Sequence, residues 1–350
     1  MINREEPYLG EGQTPVLSLK ALAKHFGLSN ISAKAEYLNP TGSYKDRIAA
    51  ATVQDAVRRG HTGWIGTSSG NGGAAMSAYG SRAGLPGFLC IPLSTPPEKL
   101  KSIVPYGTTL LLMDEIGMRE MDAIKNLSDE FNLKMSVTAY QYNPEGMTGA
   151  ETIGNELQDQ GSFTHIYVPT GGGGLLVAVA RGLDTQSRTR PKMICAQPTG
   201  CAPISRYLRN ELNAPIIPTC DSMISGLLLP DPPDGQLATK AVQSTDGWGC
   251  LVDDKDAYAM QDLLAQMEGI FVEPASALAL AAIIQDCHQG LICESDNPLV
   301  ILTGSGLKDL RRFEQPDTSS TLPASLSDLR YKLEATLHHA QETHSRKRSN

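Results

Sequence analysis

The chain has 350 residues, 41% of them hydrophobic and 19% charged, which is enough apolar material for one large or two medium globular domains. A formal charge of −8 and a pI near 5.4, with no basic cluster ahead of the terminal HSRKRSN, speak against a nucleic-acid or anionic-membrane surface. No apolar run reaches the roughly 18–20 residues of a bilayer span, and MINREEPYLG lacks the layout of a signal peptide, so a cytoplasmic protein with no membrane and no nucleic-acid partner is expected.

From about residue 30 onward, short β-rich runs alternate with helical patterns, the layout of helices covering a largely parallel sheet. In chain order the patterns predict a helix running on from Lys45, a strand over 63–69, a helix over 73–83, a strand over 87–93 and a helix over 97–106. A strand over 108–114, helices over 118–131 and 148–158, a strand over 165–170, a helix over 175–183 and a strand over 192–199 follow. Helices over 256–267 and 274–285 and a strand over 297–304 complete the series. LLLPDPPDGQ (227–236) reads as a surface loop and EQPDTSSTLPASLSD (314–328) as a linker, followed by an amphipathic helical appendage. The seven cysteines (Cys90, Cys195, Cys201, Cys220, Cys250, Cys287 and Cys293) form no C-x-x-C pair and read as reduced thiols, not as a disulfide framework or zinc site. The histidines show no metal-ligand spacing, and His338 with His339 reads as part of a solvated face, so no metal is expected.

Three segments carry chemistry. In NPTGSYKDRIAAA (39–51), Lys45 opens a helical run, where the positive end of the helix dipole disfavours a cation. In IYVPTGGGGLLVAVARG, a strand runs into Gly171, Gly172, Gly173 and Gly174 and then a helix. Side-chain-free residues let consecutive N–H groups converge on an anion such as a phosphate, although a merely tight turn is the plainer alternative. GTSSGNGGAAMSAYG (66–80) also joins a strand to a helix. There Ser68, Ser69 and Asn71, with the amides around Gly70, suit a small carboxylate, while the plainer alternative is a serine capping the helix.

Together these segments resemble the fold-type II family of pyridoxal-phosphate enzymes, which includes threonine synthase, serine/threonine dehydratase, cysteine synthase and the tryptophan synthase β chain. EGQTPV is similar to E-G-N-T-P-L, KAEYLNPTGSYKDR to K-x-E-x-x-N-P-T-G-S-F-K-D-R, SSGNGG to S-S-G-N-x-G, PTGGGGLL to the family's phosphate loop, EGIFVEPASALALAA to E-G-x-x-x-E-P-A-x-A, and LTGSGLKD to L-T-G-x-G-L-K-D. The resemblance implies an α/β fold of two three-layer domains with largely parallel twisted sheets and pyridoxal 5'-phosphate between them. The implied division is a large cofactor domain from 1–48 and 146–315, a small mobile domain over 49–145, and a C-terminal linker and tail over 316–350. It implies that Lys45 forms the Schiff base with the cofactor and acts as general base, and that Asn71 bonds the ring hydroxyl. By the same similarity, Ser68, Ser69, Gly70 and Asn71 hold the substrate carboxylate, Gly171, Gly172, Gly173 and Gly174 cradle the phosphate, and Thr303 faces the pyridine nitrogen. Ser225 and Gly226 would run near the ring and Glu273 would border the site. A hydroxyl facing the nitrogen makes the cofactor a weaker electron sink and favours elimination over transamination.

The implied activity is that of a lyase on an amino acid with a β- or γ-leaving group, threonine synthase-like. The alternatives are β-replacement as in cysteine or cysteate synthase, a serine/threonine dehydratase, and a catalytically silent binding protein of the same fold. EGQTPV and LTGSGLKD resemble threonine synthase, whereas the run of four glycines resembles the dehydratase branch. Met147 and Gly149 stand where a polar or basic side chain is expected, and Gly72 is expected to widen the pocket. By analogy the assembly is a homodimer and the partner a small amino-acid substrate.

Overall fold

The computed structural model describes residues 7–183, 190–313 and 325–335. Most of the expected linker, the terminal run past 335 and the His338–His339 pair lie outside the described residues. The chain forms two compact units, Met1–Asp309 and Leu310–Asn350. In the second, a short helical segment over 329–335 exposes Tyr331 and Leu333. Among the described residues no helix is long and apolar enough to cross a membrane.

The first unit contains strands β1 (Val16–Ser18), β2 (Ser32–Lys34), β3 (Gly63–Gly66), β4 (Gly87–Pro92), β5 (Thr109–Met113), β6 (Leu133–Met135), β7 (His165–Pro169), β8 (Lys192–Pro198), β9 (Gly249–Val252) and β10 (Pro298–Ile301). Its helices are α1 (Lys20–His25), α2 (Lys45–Arg59), α3 (Asn71–Arg82), α4 (Pro97–Leu100), α5 (Met118–Glu130), α6 (Pro144–Gln160), α7 (Gly174–Gly182), α8 (Pro203–Leu208), α9 (Gly235–Gln243), α10 (Asp254–Glu268) and α11 (Pro274–His288). One sheet has the order β1-β2-β10-β7-β8-β9 and is parallel except for β1, and the other, β5-β4-β3-β6, is wholly parallel. The sheets are the α/β arrangement expected from the alternating runs. The strands the patterns miss, β1, β2, β6 and β9, have three or four residues each, too few for a period of two to register.

Helix α2 places Lys45. Its Ala, Ile and Val residues carry the helix to Gly60, which closes it in the left-handed region with φ 74 behind Arg58 and Arg59, basic residues suited to a helix C-terminus. Ile48 belongs to the core built on the six-stranded sheet, and Ala49, Val53 and Ala56 to the core of the four-stranded sheet. The helix therefore lies between the two sheets, and its first residue, Lys45, opens beside the carboxyl end of β10, where α/β folds hold ligands.

The cysteines depart from expectation at one pair: Cys201 and Cys220 form a disulfide. A separation of 19 residues carries no local signal, and the pairing arises because the turn after β8 meets the incoming loop, where Asp221 N donates to Gly200 O at 2.8 Å. Cys90, Cys195 and Cys250 are buried thiols, Cys287 is partly covered and Cys293 exposed. Cross-linking a loop of that size restricts the unfolded chain by about 3 kcal/mol, so Cys220→Ser should lower the thermal midpoint, and dithiothreitol should do so in the unsubstituted protein but not in the variant.

Candidate active site

The loop that delivers Lys45 is held from several sides. Asn39 Oδ1 accepts from Gly12 N at 2.9 Å, which ties EGQTPV to the lysine segment. Asp46 turns back to accept from Thr41 N at 2.5 Å and from the Thr41 hydroxyl, while Lys308 Nζ donates to Thr41 O at 2.6 Å. Burial pushes the Asp46 carboxyl up to about 6 even though the Thr41 hydrogen bonds and the Lys308 charge favour its ionised form. Past Gly42 the chain runs alongside the end of β10: Tyr44 N donates to Thr303 O at 3.0 Å, and Ser43 bridges Gly304. Lys45 Nζ then donates to Thr138 Oγ1 at 2.7 Å and stands 4.6 Å from the centre of the Tyr44 ring.

The glycine quartet follows β7 directly. Thr170 N is used by Ala196 O and Val177 N by Gly173 O, whereas the N–H groups from Gly171 to Leu176 donate to no group of the described residues. The opposite side of the turn is packed. A Cβ on Gly171 would lie 2.8 Å from Gly226 O, one on Gly173 2.8 Å from Asp234 O, and one on Gly174 2.9 Å from both Asp234 Oδ2 and Met147 Cε. Gly173 also has φ +91, a conformation glycine adopts without penalty. Amides with no acceptor at the start of a helix, on a turn packed closely at Gly171, Gly173 and Gly174, have the chemistry that suits an anion.

At the second turn, α3 starts at Asn71 with Gly70 as N-cap and no side-chain cap, so the serine-cap alternative does not hold. Ser68 Oγ accepts only a long bond, 3.4 Å, from Gly70 N, and Gly70 is exposed with nothing within 4 Å of its Cβ direction. Asn71 Nδ2 donates to Glu273 Oε2 at 2.9 Å, Thr303 Oγ1 donates to Glu273 Oε1 at 3.0 Å, and Ser276 Oγ stands 2.9 Å from Thr303 Oγ1. Burial pushes the Glu273 carboxyl above its ordinary range, against the hydrogen bonds from Asn71 and Thr303. One carboxyl thus joins a residue of α3 to the end of β10.

The family described as pyridoxal-phosphate dependent enzyme matches residues 8–304. The chain belongs to this family. The threonine synthase of Methanocaldococcus jannaschii is 31% identical over 323 residues, covering 88% of this chain and 79% of its own, and that of Halalkalibacterium halodurans is 30% identical over 317 residues, covering 88% and 86%. Among solved structures, the processed form of threonine deaminase isoform 2 from Solanum lycopersicum superposes with a TM-score of 0.73 at 22% identity, covering 83% of each chain. Maize serine racemase superposes with a TM-score of 0.71 at 20% identity, covering 94% of each chain. At these identities the structures establish the fold.

Pyridoxal 5'-phosphate is the cofactor of this family, and the residues present fit it: a lysine at a helix start, a quartet of glycines with unused amides, and a hydroxyl at the end of β10. For a pyridoxal-phosphate enzyme, two sequence departures now have structural reasons. Gly149 lets α6 press against α2, since its Cβ would lie 2.0 Å from Arg47 O, and buried Met147 lies beneath the first glycine of α7. Position 149 cannot host a basic side chain. Gly72 does not open space at its own Cβ, which would stand 3.1 Å from Ser68 Oγ and 3.6 Å from Thr138 Cγ2. Thr138 and Asp234 escape sequence reading because each is an ordinary polar residue outside the matched motifs, and Ser276 because it stands at an unspecified position of E-G-x-x-x-E-P-A-x-A.

Proposed function

We propose that the enzyme is a lyase on an amino acid bearing a leaving group at Cβ or Cγ, threonine synthase-like. What supports the reading most is Thr303: its hydroxyl, tied to Glu273 and Ser276, stands at the end of β10, and a hydroxyl partner to the ring nitrogen moderates the electron sink and suits elimination. The threonine synthases at 28–31% identity point the same way. Pyridoxal 5'-phosphate, when bound, takes up the charge that develops at the substrate Cα. The chain's own residues do the rest. The amides from Gly171 to Leu176 hold the phosphate, Asn71 meets the ring hydroxyl, and the uncapped start of α3 with Ser68, Ser69 and Gly70 holds the substrate carboxylate. Lys45 removes the Cα proton as general base and returns a proton later, while the leaving group departs with its bonding pair.

A panel of L-serine, L-threonine, O-phosphohomoserine, O-phosphoserine and O-acetylserine tests the proposal. Release of phosphate with threonine from O-phosphohomoserine is the expected result, and a 2-oxo acid with ammonia from serine or threonine would place the enzyme on the dehydratase side. Formation of neither phosphate nor 2-oxo acid from any of these amino acids alone, with phosphate released from O-phosphoserine or acetate from O-acetylserine only when an external thiol or sulfite is added, would overturn the lyase reading in favour of β-replacement.

A further inference from the structure

Thr138 lies in the connection between β6 and α6, and three parts of the candidate site meet on it. Its hydroxyl accepts from Lys45 Nζ at 2.7 Å. Its methyl carbon stands 3.6 Å from where a Gly72 Cβ would be, against the serine turn, and its carbonyl oxygen 3.4 Å from where a Gly174 Cβ would be, against the glycine quartet. The connection itself is fixed. Buried Asp234 accepts from Tyr140 N at 2.9 Å and from Gln141 N at 3.3 Å, while its own N donates to Gly172 O at 2.9 Å. Thr138 is therefore pinned, two residues away, to the turn expected to carry the phosphate.

A lysine side chain has many rotamers, and holding its nitrogen at a reacting carbon costs conformational entropy unless something fixed meets it. A hydroxyl suits that task because it accepts from an ammonium and can donate to a neutral amine, so it follows the nitrogen through a change of protonation without a charge of its own.

We propose that Thr138 is a positioning residue: it holds the Lys45 amine, aimed into the site, whenever that amine is not bonded to the cofactor. This rests on the reading of Lys45 as the cofactor-binding lysine. Lys45 takes the proton from Cα onto its nitrogen and holds it, with the extra N–H directed at Thr138 Oγ1, until it returns a proton later in the cycle. Thr138 itself neither gains nor loses a proton.

The test uses the full chain, resolved from its cofactor and then mixed with pyridoxal 5'-phosphate. The rate of adduct formation is read by visible absorbance, and its place by borohydride trapping and peptide mass. Thr138→Val should form the Lys45 adduct about tenfold more slowly, to nearly the same final occupancy. On whichever amino acid of the panel turns over, its kcat should fall roughly 100-fold with KM changed less than threefold. Thr138→Ser, which keeps the hydroxyl and loses the methyl, should restore both rates to within a few-fold. A packing role predicts the reverse order, with serine impaired and valine near normal, and that order would overturn the inference, as would equal rates for all three proteins. Should the valine variant not fold, Thr138→Ala takes its place beside the serine variant. Failure of the unsubstituted protein to give any adduct at Lys45 would remove the reading of Lys45 itself, an outcome distinct from an adduct that forms regardless of residue 138.

Discussion

Lys45→Ala is expected to abolish covalent attachment of pyridoxal 5'-phosphate and to lower kcat by about 10³-fold or more, since nucleophile and general base are lost in one side chain. The observable is a visible absorption band present in the unsubstituted protein and missing in the variant, together with loss of the borohydride-trapped peptide. Stability should barely change. Among the described residues Lys45 Nζ makes one hydrogen bond, to Thr138, and a single such bond contributes about 1 kcal/mol net, so the thermal midpoint without cofactor should move by only a few degrees. Noncovalent affinity should persist in part, because the unused amides of the glycine turn do not depend on the lysine. A variant that keeps the visible band would show that another amine carries the cofactor, and the account of the site built around α2 would be wrong.

The parts of the site visible in the sequence are those where a residue type is forced locally. Glycine is needed at positions 171 and 173, where carbonyls of the 226–234 loop stand 2.8 Å from a would-be Cβ, and that need is written into the turn itself. Lys45 is conspicuous because a cation is out of place at a helix start. By contrast, the carboxyl that joins Asn71 to Thr303 comes from Glu273, and it is the bridge between Val272 and Ser305, with Glu273 N donating to Gly304 O at 2.9 Å, that sets it beside Thr303, a pairing no local pattern encodes. Thr138 is still less legible, since its only distinction is what lies across from it. The Cys201–Cys220 pair illustrates the same limit, with a crossing of two loops that no spacing rule encodes.

Arg47, two residues beyond Lys45, carries the other large expected effect, on stability. It donates to Glu36 through Nε at 2.8 Å and Nη2 at 2.7 Å, and to Glu156 through Nη1 at 2.5 Å and Nη2 at 2.9 Å, while Lys34 Nζ reaches Glu156 at 2.5 Å. All four side chains are under one-tenth exposed. Two cations and two carboxylates balance, so Arg47→Met would leave two buried carboxylates facing one lysine. Removing one member of such a buried set costs about 3–5 kcal/mol, and on a chain of this size the thermal midpoint should fall by on the order of 10 °C. Burial alone would raise the Glu156 carboxyl, but the hydrogen bonds from Arg47 and Lys34 override it and hold the group at about 2. A carboxyl held that low stabilises the fold above its unfolded pKa, near 4.3, and ceases to do so as pH falls toward about 2. The gap in thermal midpoint between the unsubstituted protein and Arg47→Met should therefore be full at pH 7 and narrow steadily below about pH 4. A gap that stayed constant down to pH 2.5 would mean that the lost stability came from packing and not from the ion set. Because these bonds join α2 to α6, and Arg47 Nη2 also donates to Thr14 of EGQTPV at 3.2 Å, the variant should also hold the cofactor more weakly. Saturating pyridoxal 5'-phosphate should then recover part of the lost midpoint by mass action.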